Sequence, residues 1–215
     1  MQITLVIFLV KLLKKGAEGD IYLTKFDDNP AILKTRKKKP YRHPQIDNRI
    51  RKQRTIREAT ILSEAKSFGV KTPLVYRVNT NDCTILMQQI NGILVRNLTG
   101  QKLKDACREI GKVTATLHKN GIVHGDLTTS NFISKGNKIF AIDFGLAQKS
   151  LRVEDHAVDL RLFKEILGSA HVEVMSSLWS AFLSGYKSVI GIERFNKVLN
   201  HVSIIEGRGR YARME

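Results

Sequence analysis

His124-Gly125-Asp126-Leu127-Thr128-Thr129-Ser130-Asn131 and, twelve residues beyond it, Asp143-Phe144-Gly145 decide how this chain is read. Between them, the apolar runs Phe132-Ile133 and Ile139-Phe140-Ala141 flank Gly136-Asn137, which predicts a β-hairpin over 131–143. A turn centred near position 137 pairs residues whose numbers sum to about 274, which sets Asn131 opposite Asp143 at the open end. Asp126 then lies a short loop away. One carboxylate and one amide oxygen in that place can share a divalent cation of the hard, oxygen-loving kind. Either motif alone can arise by chance; both, in this order, demand a search upstream for groups that would complete a site.

Three upstream features answer that search. Gly16-Ala17-Glu18-Gly19 lies between two strand-like runs. Glycines there let a turn approach a ligand and expose N–H groups to phosphate, although on its own such a turn is an ordinary hairpin. Lys34 ends the apolar run Ala31-Ile32-Leu33 and so emerges from a buried strand. Glu58 shares a helix face with Leu62 and Ala65, and an acid on an apolar face requires a partner. Farther on, Leu86-Met87-Gln88-Gln89-Ile90 ends the strand-rich half; alone it reads equally well as a plain buried strand.

The rest of the chain frames these residues. Strand-like runs occupy 3–13, 20–26, 30–35, 74–79 and 83–89, with one long helix from Asp47 to Ser67. The apolar start, Met1 to Leu13, is too short for a membrane helix and lacks the basic flank and cleavage site of a secretory leader. From Asn91 the pattern turns helical, with Leu103, Ala106, Ile110, Val113 and Leu117 at helical spacing and a stop at Asn120-Gly121. Helical patterns resume at 155–167, 171–189 and 193–202. Cys83 and Cys107 form no CxxC and read as reduced core thiols. A hydrophobic fraction of 42% across 215 residues fits a packed core, so disorder is not the default reading. Lys and Arg number 36 against 20 acids, a net +16. Eleven of the cations and one acid, Asp47, lie between Lys34 and Arg57; Arg208, Arg210 and Arg213 surround Tyr211 near the end. That concentration favours a phosphate-rich partner over a merely solvated face.

The two motifs fit the protein-kinase pattern H-x-D-L-x-x-x-N followed by D-F-G. The chain therefore resembles that superfamily, and the expected fold is α+β. It is a two-lobed protein-kinase-like fold, with a small β-rich N-lobe (1–89) carrying one long helix and a reduced helical C-lobe (90–215) ending in a basic tail, 206–215. No proline follows Pro73, so an A-P-E motif is excluded, and only 144–215 remain after Asp143; the activation segment is expected to be missing. Phosphoryl transfer is catalysed mostly by positioning and charge stabilisation. On the kinase pattern, Lys34 would bind the α and β phosphates, paired to Glu58. Asn131 and Asp143 would hold the metal, and Asp126 would orient the attacking hydroxyl or water. Gly16, Ala17, Glu18 and Gly19 would cover the phosphates. Gln88 and Ile90 would offer backbone groups to adenine, beside Met87.

Across nearly its whole length the chain is similar to the small atypical serine/threonine kinase/ATPase of the KEOPS tRNA-modifying complex, the PRPK type in its archaeal form. The most specific stretches are Gly16–Gly19, Lys39-Pro40-Tyr41-Arg42-His43-Pro44 through Asp47, Arg54-Thr55-Ile56-Arg57-Glu58-Ala59, His124–Asn131, Glu154-Asp155-His156-Ala157-Val158-Asp159-Leu160, and Arg208-Gly209-Arg210. Gln88 stands where that family tends to have Glu, but a hinge acts through its backbone. The first strand is longer and more apolar than usual. The resemblance implies ATP with Mg2+, or Mn2+ in its place, and ATP hydrolysis as the relevant turnover, with autophosphorylation. It implies docking on the threonylcarbamoyltransferase subunit through the catalytic face, contact with other KEOPS subunits and tRNA, no membrane, and a cytoplasmic setting. Two other readings fit parts of the sequence. One is a small-molecule phosphotransferase, since His-Gly-Asp also occurs in aminoglycoside and choline kinase-like enzymes. The other is a non-catalytic tRNA-binding scaffold.

Overall fold

The apolar runs Ile21-Tyr22-Leu23 and Ala31-Ile32-Leu33 pair as the two arms of a hairpin that anchors the first layer. A computed structural model describes residues 11–16 and 19–211, with backbone only for 209–211. Strands β1 (Lys11–Lys15), β2 (Asp20–Phe26), β3 (Asn29–Thr35), β4 (Val75–Asn79) and β5 (Thr84–Gln88) make an antiparallel sheet in the order β1-β2-β3-β5-β4. The first-strand expectation holds over 11–13; residues 3–10 lie outside the described part, as do Ala17, Glu18, Arg213 and the side chains of Arg210 and Tyr211. Helix α1 (Pro44–Ser67) lies beside this sheet. It begins three residues before the expected start, because Pro44 at the first turn has no N–H to lose and already has a helical φ.

The second layer is helical. It opens with β6 (Ile93–Leu94) and α2 (Gly100–Lys119), passes through β7 (Ile122–Val123), the hairpin β8 (Phe132–Lys135) and β9 (Lys138–Ala141), and β10 (Gln148–Lys149) paired to β7. It closes with α3 (Val153–Ala170), α4 (Met175–Ile190) and α5 (Ile192–Tyr211). α2 and α4 touch backbone to backbone at glycines: a Cβ on Gly185 would sit 1.9 Å from the Arg108 carbonyl oxygen, and one on Gly111 2.1 Å from that of Phe182. α5 continues through Tyr211, so the basic residues expected as a tail from 206 begin as part of that helix. From Gly145 to the start of α3 only residues 146–152 intervene, and Gln148–Lys149 among them pair with β7; the described chain carries no activation segment.

The hairpin register departs from expectation by one. Phe132 faces Ala141 and Lys135 faces Lys138, sums of 273, because the turn holds two residues, Gly136 and Asn137, with Gly136 at φ 58°. Asn131 therefore faces Ile142, whose N–H donates to its carbonyl at 3.0 Å, and Asp143 lies one step further along.

Candidate active site

β3 delivers Lys34 into the interior. Ile32 and Lys34 share one sheet face by the period of two, and Lys34 is buried between Ile21 and Ile85 of the neighbouring strands. Its Nζ lies 2.6 Å from Glu58 Oε1 and 2.8 Å from Asp143 Oδ1. Glu58 is wholly buried on α1 and carries a second cation: Arg36 Nη2 lies 2.5 Å from Oε2. Burial pushes the Glu58 carboxyl up, while Lys34 and Arg36 oppose it; with one cation on each oxygen we assign it as the carboxylate. Burial alone would lower Lys34, but Glu58 and Asp143 raise it, so it stays an ammonium. Burial likewise works against the Asp143 anion, yet Lys34 and the Gly145 N–H at 2.8 Å bring its carboxyl down to about 2.

The loop after β7 supplies the rest. Asn131 Nδ2 donates to both the Asp126 carbonyl and Asp126 Oδ2, each at 2.8 Å, which turns its Oδ1 away from Asp126. The free oxygens of Asn131 and Asp143 are hard donors that fit Mg2+, an ion that takes one or two protein oxygens and relies on phosphate and water for the remainder. The described residues contain no cluster of three or more His, Cys, Asp or Glu that would suit a self-sufficient metal cage. A cavity of about 470 Å³ adjoins Lys34, Asn131 and Asp143 and is walled by Ile21, Ile32, Met87, Leu94, Ile133 and Ile142. Two hollows elsewhere are larger, at about 640 and 610 Å³, but neither reaches any of these polar groups. Apolar walls on two sides with charge at one end suit a flat base joined to phosphates.

Of the anticipated residues, Ala17 and Glu18 lie outside the described part; the others take these places. Lys34, Met87, Gln88, Ile90, Asn131 and Asp143 line the cavity; Glu58 stands behind Lys34, and Asp126 is tied to the site through Asn131. The Gln88 N–H is already committed to the Leu74 carbonyl at 2.8 Å, so a base could meet Gln88 only at its carbonyl. Gly16 and Gly19 close the β1–β2 turn through a 3.0 Å bond from the Gly16 N–H to the Gly19 carbonyl. A Cβ on Gly19 would fall 2.4 Å from the Thr35 carbonyl oxygen, so the turn rests directly on β3. The basic segment is less open than its count suggested, because Lys34, Arg36 and Arg51 are buried in ion pairs.

Asp159 was not anticipated as part of the site. It is fully buried on α3 and accepts the N–H groups of His124 at 2.6 Å and Gly125 at 2.8 Å, besides contacting His118 Nε2 at 3.1 Å. It thereby suspends the loop after β7 from the helical layer. Burial opposes its charge, but the His118 bond prevails and holds its carboxyl below the usual range. An acid four residues after Asp155 and next to Leu160 on an apolar face was the available sequence signal. His118 also stacks on His156, ring centroids 4.1 Å apart, and bonds Tyr186 at 2.9 Å. Burial, with His118 alongside, brings His156 down to about 4. The unfolded chain therefore binds the extra proton from about pH 6.5 downward, and the His156 contribution to stability is lost as pH falls towards 4. Thermal melting across that range should show the loss, and His156→Gln should flatten part of it.

Fold and side chains together define a protein-kinase-like phosphotransferase. The RIO domain family model matches residues 21–162, and the chain belongs to that family. It is 42% identical over 212 residues to the KEOPS complex subunit Bud32 of Pyrococcus abyssi, covering 94% of this chain and 96% of that one. It is also 42% identical over 200 residues to a probable bifunctional tRNA threonylcarbamoyladenosine biosynthesis protein of Methanocaldococcus jannaschii, of which it spans 37%. Among solved structures, it is similar in fold to the Rio2 kinase–ADP/Mg2+–phosphoaspartate complex from Chaetomium thermophilum, with TM-score 0.66 and 12% identity over 94% of this chain and 72% of that one. The apoenzyme of macrolide 2'-phosphotransferase MphH from Brachybacterium faecium gives TM-score 0.60 and 14% identity over 96% and 88%.

Proposed function

We propose that this chain is the ATP-hydrolysing, atypical serine/threonine kinase subunit of a KEOPS complex, supporting threonylcarbamoyladenosine formation at tRNA position 37. The observation that carries the reading is the meeting of Lys34, Glu58 and Asp143 within 2.8 Å contacts beside Asn131 and Asp126, at the polar end of an apolar cavity. The relationship to Bud32 over nearly both chains carries it from phosphotransferase to KEOPS subunit.

In this reading ATP lies in the cavity with its base between the Ile21–Ile32 and Ile133–Ile142 walls, meeting the Gln88 carbonyl and the Ile90 backbone. Asn131 and Asp143 would hold Mg2+, or Mn2+, which would supply charge neutralisation. Lys34 binds the α and β phosphates, Glu58 orients Lys34, and Asp126 receives the proton of the attacking water or hydroxyl. The Gly16–Gly19 turn, with Ala17 and Glu18, covers the phosphates. Residues 1–89 and 90–215 act as the two lobes closing on the nucleotide. No helix among the described residues is long and apolar enough to cross a membrane. The KEOPS reading itself carries a cytoplasmic setting with tRNA. The test is ATP consumption by the purified chain with Mg2+, alone and with the threonylcarbamoyltransferase subunit and tRNA. Turnover that depends on those two partners supports the reading. Turnover that instead responds only to a small-molecule acceptor contradicts it.

The tRNA contact has its own test. At most eight of the eleven cations between Lys34 and Arg57 remain for phosphate once the three buried ones are set aside. Engagement of about six phosphates gives a slope of log affinity against log salt near −4 to −5. A filter-binding or fluorescence titration over salt measures it, and a flat response removes tRNA from the contact surface.

A further inference from the structure

We infer that Arg36 is a positioning residue of this site: a second, permanent cation that holds Glu58 and α1 in the working arrangement in place of an activation segment. The inference rests on the phosphotransferase reading above. In protein kinases the Lys–Glu pair is a gated feature, controlled by helix position and by phosphorylation of the activation loop. Here only residues 146–152 separate Gly145 from α3, and Gln148–Lys149 among them pair with β7, which leaves too short a loop to exert such control. Something else must keep α1 against the sheet.

Arg36 is placed to do so. It follows Lys34 by two residues, so both side chains leave the strand direction on one face, and each takes one oxygen of Glu58, at 2.6 and 2.5 Å. Lys34 also reaches Asp143 at 2.8 Å and is required at the phosphates; a carboxylate held by Lys34 alone would be left buried with a divided partner. A guanidinium, always charged and rigidly forked, keeps Glu58 ionised while Lys34 is engaged elsewhere. Arg36 itself is fixed: its N–H donates to the Cys83 carbonyl at 3.1 Å, and its carbonyl accepts from Arg51 Nη1 at 3.4 Å. Arg51 Nε in turn bonds Asp47 Oδ2 at 2.7 Å, and Thr55 Oγ1 bonds the Arg51 carbonyl at 2.8 Å. Asp47, Arg51, Thr55 and Glu58 thus form one buried polar stripe along the first part of α1, before Ile61, Leu62 and Ala65 take over. The first part of α1 meets the end of β3 through the Glu58 ion pairs and the Arg51–Arg36 bond, and Arg36 is where that stripe meets the catalytic lysine.

Glu58 faces Lys34 from β3, Arg36 from just beyond its end, and Asp143 from beyond β9. Arg36→Gln should lower ATP turnover about 30- to 100-fold, in keeping with misplacement of a positioning group by about 1 Å. It should also introduce an acid limb in the pH profile, as Glu58 with one cation takes up a proton more readily, whereas Arg36→Lys should restore most of the rate. In a Glu58→Gln background the same Arg36→Gln change should cost no more than about threefold, since Arg36 acts through Glu58. Multiplied losses in the double variant would overturn the inference. Asp126→Ala serves as the blank, so an inactive parent chain would count against the enzyme reading alone. Hydrogen exchange of the ligand-free chain then decides Arg36 independently of turnover. Amides of α1 around Glu58 should exchange at least about tenfold faster in Arg36→Gln while α2 is unchanged. Equal protection in the two proteins would overturn the positioning role.

Discussion

Asp126→Ala is expected to reduce ATP turnover by a factor of about 10² to 10⁴, the range that a positioned proton acceptor supplies, with the fold intact. Asp126 is half-buried, and its side chain makes one identified bond, from Asn131 Nδ2 at 2.8 Å. Asn131 keeps its other partner, the Asp126 carbonyl at 2.8 Å, so the loop retains its shape and Asn131 its aim. The stability cost should stay near about 1 kcal/mol, that of one partly exposed hydrogen bond. Phosphate release and thermal melting on the same preparation separate the two effects. Full turnover by the variant would place the chemistry elsewhere. Asp126→Asn should be nearly as slow, because an amide keeps the bonding geometry but cannot accept the proton.

Asp159→Ala is expected to be the most damaging single change to stability, by about 3–5 kcal/mol. A wholly buried carboxylate there receives two backbone N–H groups and faces His118, all within 3.1 Å. Removing it strands those donors away from water, and each buried unsatisfied group costs about 1–3 kcal/mol. Total stabilities of single domains run to about 5–15 kcal/mol, so the loss is a large part of the whole. Chemical denaturation measures it. The loop that carries Asp126 hangs from the same carboxylate through His124 and Gly125, so on the proposed function turnover should fall even where the variant remains folded. A loss under about 1 kcal/mol would mean that water or a neighbour replaces the carboxylate, contrary to its burial.

Sequence carried the site further than it carried the supports of the site. Lys34, Glu58, Asp126, Asn131 and Asp143 were legible because each is marked locally: a lysine ending an apolar strand, an acid on an apolar helix face, two polar motifs around a hairpin. The hairpin register was read one residue off, because a turn centre inferred from composition does not distinguish one central residue from the pair Gly136 and Asn137. Arg36 was hidden within a run of basic residues, and only the meeting of β3 with α1 separates it from its solvent-facing neighbours. The start of α1 falls three residues before the expected Asp47 because Pro44, which reads as a breaker in sequence, occupies the first turn, where its missing N–H costs nothing. Asp159 depends on α3 passing beneath a loop 34 residues earlier in the chain, a relation that spacing does not encode. The apolar walls from Ile21, Ile32, Ile133 and Ile142 were assignable to strands, but not to a shared cavity, until the two layers were in place.

The most direct test is a crystal structure of the chain with a non-hydrolysable ATP analogue and Mn2+, whose anomalous signal locates the metal without ambiguity. The metal should lie at about 2.0–2.2 Å from the side-chain oxygens of Asn131 and Asp143, near the Mg2+ distance, with Lys34 on the phosphates and the base between Ile32 and Ile142. Nucleotide bound in the roughly 610 Å³ hollow beside Ile93 and Lys102, or metal held away from both residues, would contradict the account.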